Sequence, residues 1–204
     1  MLKKILFFAS LPYARGSTSH LQNRPTIAAV HKRVLAKLPK PAAGGICPPV
    51  VFVEKFFGPE AEQSFAKLNH ALRLTECFPV ECTVDPAVSE GRPGSELDVR
   101  LASRVMREVA SEFFRTDKGD QIIVGLFVGE RRWIPLIDEI QQIDPDIRIA
   151  LVAEKNSFAT GLREEISRRD TNYLLFIDEL FPDLAGGEPR GGPDATRSRR
   201  TTRS

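Results

Sequence analysis

Two carboxylates and three guanidiniums near the middle of this chain are its residues best suited to chemistry on a phosphate ester. Asp98 stands in the run Ser95-Glu96-Leu97-Asp98-Val99, and Arg104 lies six residues further on. Glu130, Arg131 and Arg132 follow the apolar run Ile122 to Val128. Hydrolysis of a phosphodiester at clustered carboxylates uses Mg²⁺, which orients water and offsets charge on the phosphate. Asp98 and Glu130 hold one such ion only weakly, through intervening waters. The neighbouring guanidiniums repel a cation and attract phosphate, because a planar fork of N–H donors matches the phosphate oxygens. The set therefore favours holding an anionic backbone over metal-dependent cutting. In the competing reading Arg104, Arg131 and Arg132 simply pair with Asp98 and Glu130 and fill the space. Glu54, closing Val51-Phe52-Val53-Glu54, is a further acid placed to stand beside such a crevice.

These side chains need a scaffold, and the hydrophobic pattern supplies one. Lys4 to Ser10 is a continuous apolar run, the mark of a strand buried on both faces. Leu11 to Asn23, with Gly16, Ser17, Thr18 and Ser19, reads as a loop. Pro25 and Thr26 open a helix with Ile27, Val30, Val34, Leu35 and Leu38 on one face. Val50 to Phe56 is a second strand, Pro59 to Leu74 a helix carrying Phe65, Leu68 and Leu72 inward, and Val80 to Val84 a third strand. The helix from Ser95 has the stripe Leu97, Leu101, Val105, Val109 and Phe113. Gln121 to Val128 is a strand, Trp133 to Ile143 a helix with Ile134, Ile137 and Ile140 inward, and Ile147 to Ala153 a strand. Ser157 to Arg168 is a short helix, and Tyr173 to Ile177 a last short strand. Alternating strands and helices predict an α/β three-layer domain with a mainly parallel sheet of about five strands. The functional crevice of such a sheet lies at the carboxyl ends of its strands, where the strand order switches. That points to Ala9 and Ser10 after the first strand and to Gly129 and Glu130 after the fourth.

Composition narrows the alternatives. The chain has 204 residues, 42% hydrophobic and 27% charged, enough for one globular domain with a sizeable core. Residues 1–184 are expected to form that domain. Residues 185–204 are expected to form a basic, disordered tail, because they have little to bury. From Gly186 onward the tail carries five arginines and two acids, a net +3 against +2 for the whole chain, so the body is close to neutral. Arg197, Arg199, Arg200 and Arg203 suit phosphate binding, and a merely solvated terminal tail is the plainer reading of the same residues. Cys47, Cys77 and Cys82 make no C-x-x-C pair, which argues against a disulfide framework or structural zinc and fits a reducing, cytoplasmic setting. The three histidines read as surface or helix-face residues. The opening Met1-Leu2-Lys3-Lys4-Ile5 begins like a secretory leader, but Pro12 and Tyr13 interrupt it and a buried first strand is the better reading. No run of about 18 apolar residues is present, so no membrane span is expected. No Walker loop, no G-x-G-x-x-G after the first strand and no G-x-S-x-G elbow occurs.

The order of elements, the Leu97-Asp98-Val99 helix start, the Val128-Gly129-Glu130-Arg131-Arg132-Trp133 strand end followed by Ile134-Pro135-Leu136, and the stretch Ser157 to Asp178 together resemble the NYN domain. That family is PIN-like and includes the LabA-like bacterial proteins. The resemblance covers about residues 3–181. It implies a PIN-like fold, an association with RNA and a Mg²⁺-dependent nuclease site built from acids at the strand ends. By the family pattern Asp98 and Glu130 take catalytic and metal-binding positions. The chain departs from that pattern: Ala9 stands at the first aspartate, Pro12 at the asparagine, Arg104 at the second helix aspartate, Arg132 at the second acid after the fourth strand and Trp133 at the phenylalanine. The resemblance thus implies an RNA-binding domain with weakened or lost cutting, with Arg104, Arg131 and Arg132 as nucleic-acid contacts and no cofactor required. Mg²⁺ enters only if the site is an active endoribonuclease, and a protein-interaction or regulatory module is the remaining reading. No oligomeric state follows from the sequence.

Overall fold

The computed structural model describes residues 2–21, 23–41, 44–55, 58–83, 95–117, 120–128, 133–154, 164, 166 and 172–185. The strands are β1 (Leu2–Ser10), β2 (Val50–Lys55), β3 (Phe78–Thr83), β4 (Gln121–Phe127), β5 (Arg148–Ala153) and β6 (Tyr173–Phe176). The helices are α1 (Leu11–Ser17), α2 (Ile27–Lys37), α3 (Pro59–Leu74), α4 (Ser95–Arg115), α5 (Ile134–Ile143), α6 (Ile177–Leu180) and α7 (Pro182–Ala185). One sheet runs in the order β3-β2-β1-β4-β5-β6 with every pair parallel. This is the expected three-layer α/β architecture, with six strands in place of about five. The sixth is the four-residue edge strand β6.

β1 sits at the centre, paired to β2 on one side and β4 on the other. Its apolar run divides between two cores by strand alternation. Ile5, Phe7 and Ala9 join α2, Leu72 of α3 and Leu180 of α6 on one face. Leu6 and Phe8 join the α4 stripe Leu97, Leu101, Val105 and Val109 and the α5 residues Ile137 and Ile140 on the other. Phe7, Phe8, Phe52 and Phe127 are all 1% exposed or less. Burying such a ring stabilises by about 2–3 kcal/mol each, which is why the sheet centre is continuously apolar. Gly125 lies opposite Phe7 in the β1–β4 ladder. A Cβ there would meet Phe7 Cδ2 at 2.5 Å, so this strand glycine makes room for a ring.

The segment that reads as a loop after β1 is instead helical from Leu11 to Ser17. Gly16 and the Ser-Thr-Ser run suggest a loop by local propensity. Burial of Leu11 and Ala14, one helical turn apart, against the sheet decides otherwise. Pro12 sits in the first turn, where its missing N–H costs nothing. The helix α2 begins as expected: Thr26 is its N-cap and its hydroxyl accepts from the Ala29 N–H at 3.2 Å. Two expected segments lie largely or wholly outside the described residues. They are the helix over Ser157 to Arg168, of which Glu164 and buried Ile166 are described, and the tail beyond Ala185.

His31 lies on the buried face of α2, its ring 5.0 Å from that of Phe7 and its Nε2 without a hydrogen-bond partner among the described residues. Burial lowers its pKa from 6.5 to about 4. Between those values the unfolded chain binds the proton and the folded chain does not. Stability from this group is therefore full above pH 6.5 and lost as pH falls to 4. The wild type should lose on the order of 2–3 kcal/mol more than His31→Leu between about pH 7 and about pH 4, measured by urea unfolding. Parallel pH profiles for the two proteins would refute it. At the sheet centre, Gly125→Ala should lower stability by about 1–3 kcal/mol through overpacking against Phe7. The added Phe7→Leu change should recover part of that loss.

Candidate functional site at the strand ends

The strand order reverses direction between β1 and β4, so the crevice that doubly wound sheets use lies where these two strands end. A cavity of about 310 Å³ opens there. Leu11, which directly follows β1, and Phe127, the last residue of β4, both line it. Leu68 and Leu72 of α3 and Ile27 of α2 complete its apolar wall. Tyr13 holds the Phe127 ring edge-on at 5.8 Å.

Its rim is cationic. Arg15 from α1 and Arg24 from the turn before α2 both border the cavity and are exposed. Neither has a carboxylate partner among the described residues. Asn23 takes φ 52°, a left-handed conformation that asparagine tolerates, and this turn brings Arg24 and Pro25 to the rim. The cavity's threonines are otherwise engaged: Thr18 Oγ1 donates to the Ala14 carbonyl at 2.8 Å, Thr75 Oγ1 to the Leu72 carbonyl at 2.9 Å, and Thr26 caps α2. The guanidiniums are thus the polar groups best placed to meet a ligand. The N-terminus of α2 at the same cavity adds partial positive charge. An apolar wall beneath two guanidiniums suits an anion with an attached apolar body.

Of the residues singled out from the sequence, those that the structure describes lie elsewhere. Asp98, in the first turn of α4, lines a separate cavity between α4 and α5 together with Trp133. Arg104 lines neither of these. It borders a third cavity with Cys47 and Phe78, and its Nη2 pairs with Glu108 Oε1 at 2.5 Å. Asp98 and Arg104 therefore do not share a cavity, and the pairing of Arg104 found here is within its own helix. Glu130, Arg131 and Arg132 lie outside the described residues. Glu54 is half-buried in β2 opposite Cys82, and burial pushes its carboxyl above the usual range. Ala9, near the end of β1, is fully buried in the core, and its side chain carries no oxygen. Among the described residues no three His, Cys, Asp or Glu side chains converge, and Asp98 lines its cavity with Val99, Ala102, Met106 and Trp133.

A second polar cluster is not visible in the sequence. His20 Nε2 lies 2.5 Å from Asp178 Oδ1, and its Nδ1 lies 3.5 Å from Glu154 Oε1. Glu154 follows β5 and Asp178 opens α6, just after β6, so this histidine ties the segment after α1 to the far strand ends. Asp178 and Glu154 are 158 and 134 residues away from His20 in sequence, and no local spacing announces the pairing. Burial raises the pKa of Cys47 and Cys77, so these thiols are poor nucleophiles. No helix among the described residues is long and apolar enough to cross a membrane. In comparisons with known proteins, no family model, no curated protein and no solved structure matches the chain.

His20→Ala should lower stability by about 1 kcal/mol, because it frees two strand-end carboxylates from a shared partner while leaving them close to water. Hydrogen exchange should quicken in residues 18–21 and 177–180 before the sheet centre responds. Unchanged exchange in both segments would show that the cluster holds nothing together.

Proposed function

We propose that this chain is a PIN-like, NYN-like domain that binds the phosphate backbone of single-stranded RNA and has weakened or lost metal-dependent nuclease activity. The observation that carries the reading is the pair Arg15 and Arg24 at the rim of the switch-point cavity, with apolar surface beneath them. Doubly wound sheets bind ligands at this point, and guanidiniums with no carboxylate partner among the described residues supply the bidentate donors that phosphate takes. The cavity's apolar wall suits the nucleoside part of the same ligand. Fully buried Ala9, where cutting enzymes of the resembled family carry an acid, supports binding over hydrolysis. The basic tail, residues 186–204, acts as an electrostatic arm that raises affinity without selecting sequence.

Fluorescence anisotropy with a labelled oligouridylate tests the reading. Arg15→Ala/Arg24→Ala should weaken binding by about tenfold or more at about 100 mM salt. Its log–log salt slope should fall by about 1.4, roughly 0.7 for each phosphate of the single strand that is no longer neutralised. Deleting residues 186–204 should flatten the slope further. Wild-type affinity in the double variant would overturn the site. Mg²⁺-dependent cleavage of the oligonucleotide, abolished by Asp98→Asn, would overturn the loss of nuclease activity.

A further inference from the structure

Four elements, α1, α2, α3 and β4, contribute to the walls of the cavity at the strand ends. Its apolar interior is made of residues that are themselves buried: Leu11, Ile27, Leu72 and Phe127 are each 8% exposed or less. Its volume of about 310 Å³ is the share of about ten molecules of liquid water, room for one nucleoside and not for two. The polar groups it offers a ligand are donors. Arg15 and Arg24 present two guanidinium forks, and among the described lining residues none is an acid. The Thr26 hydroxyl takes the Ala29 N–H. The Ile27 N–H ahead of it, in the first turn of α2, has no partner among the described residues.

Resting on the reading that this cavity meets RNA, we infer that it takes a chain end, a terminal nucleotide that carries a phosphomonoester. A guanidinium fork on phosphate engages two oxygens at once. An internal phosphodiester has two unbridged oxygens, and one fork already occupies both. A terminal phosphomonoester has three, and at neutral pH it carries nearly two negative charges against one for the diester. Two forks can share those oxygens, and the Ile27 N–H at the positive end of α2 suits the same group. The attached nucleoside fills the apolar interior, whose size stops at one unit. The two charges that Arg15 and Arg24 neutralise are then those of one terminal group. The 5′ and 3′ ends of RNA share this chemistry, and the arms of the experiment separate them.

The full chain is titrated by fluorescence anisotropy with oligouridylates of one length at one salt concentration. One pair carries a 3′ label and ends in a 5′ phosphate or a 5′ hydroxyl. The other carries a 5′ label and ends in a 3′ phosphate or a 3′ hydroxyl. In at least one pair the phosphate-ended strand should bind about tenfold or more tightly than its hydroxyl-ended counterpart, and that pair names the end. Uridine monophosphate with its phosphate at that end should displace the strand, and uridine at the same concentration should not. Arg15→Lys/Arg24→Lys keeps both charges, removes the forks and should cut the preference to about threefold or less. Equal affinity for phosphate and hydroxyl ends in both pairs, with every strand weakened by Arg15→Ala/Arg24→Ala, overturns the chain-end inference and leaves the phosphate-backbone reading standing. A preference for phosphate ends that survives the alanine variant places the terminal group elsewhere and overturns it too. Wild-type affinity of the alanine variant for every strand overturns both the inference and the reading it rests on.

Discussion

Phe7 and Phe8 are neighbours on the central strand and are buried in different cores. The rest of the domain depends on that division. Each ring anchors one helical layer, so β1 must be covered on both faces and must pair on both edges. Pairing with β4 is possible in this register because Gly125 leaves room beside Phe7. Once β1 and β4 are adjacent, the β1 connection runs through α1 and α2 toward β2, and the β4 connection runs through α5 toward β5 on the opposite face. The two connections therefore part where the strands end. That parting is the crevice lined by Leu11 and Phe127.

Much of this is legible in the sequence because burial on both faces leaves continuous apolar runs. β1, β2, β4 and β5 are such runs, and their helices show inward stripes at helical spacing. The strand β3 is harder to bound. It begins at Phe78, two residues before the expected start, because Phe78 and Pro79 continue the ladder with Val50 and Val51 of β2. An edge strand tolerates a proline, whose missing N–H need not face a partner. The helix α1 reads as a loop because its seven residues contain Gly16 and Pro12, and only the sheet beneath Leu11 and Ala14 makes a helix there favourable. Local propensity is a weak guide where tertiary burial decides.

The candidate site at the strand ends is less legible than the fold, for a related reason. A run such as Gly129-Glu130-Arg131-Arg132 draws the eye because its charges are adjacent in sequence. Arg15 and Arg24 are nine residues apart in a segment with the composition of a loop, and they come together only once α1 is folded and Asn23 turns the chain. The same is true of His20, whose carboxylate partners lie beyond β5 and β6. Conversely, Asp98 and Arg104 are close in sequence but separated by their helix into different cavities. Six residues of α-helix amount to about 600° of rotation, which turns the second side chain well away from the first.

These parts act together in one order. A centrally buried strand fixes the switch point, a short helix and a left-handed asparagine place two guanidiniums above it, and an apolar wall lies beneath. In the reading proposed above, such a surface attracts phosphate by charge and holds it by hydrogen bonds, and its rigid part is the end of the sheet. The most direct test is an NMR titration of the full chain with a short single-stranded RNA, following the arginine Nε–H signals and the backbone amides. The largest shifts should fall on Arg15, Arg24, Leu11 to Thr18, Ile27 and Phe127. Shifts gathered instead around Asp98, Ala102 and Trp133, or confined to residues 186–204, would contradict a phosphate site at the ends of β1 and β4.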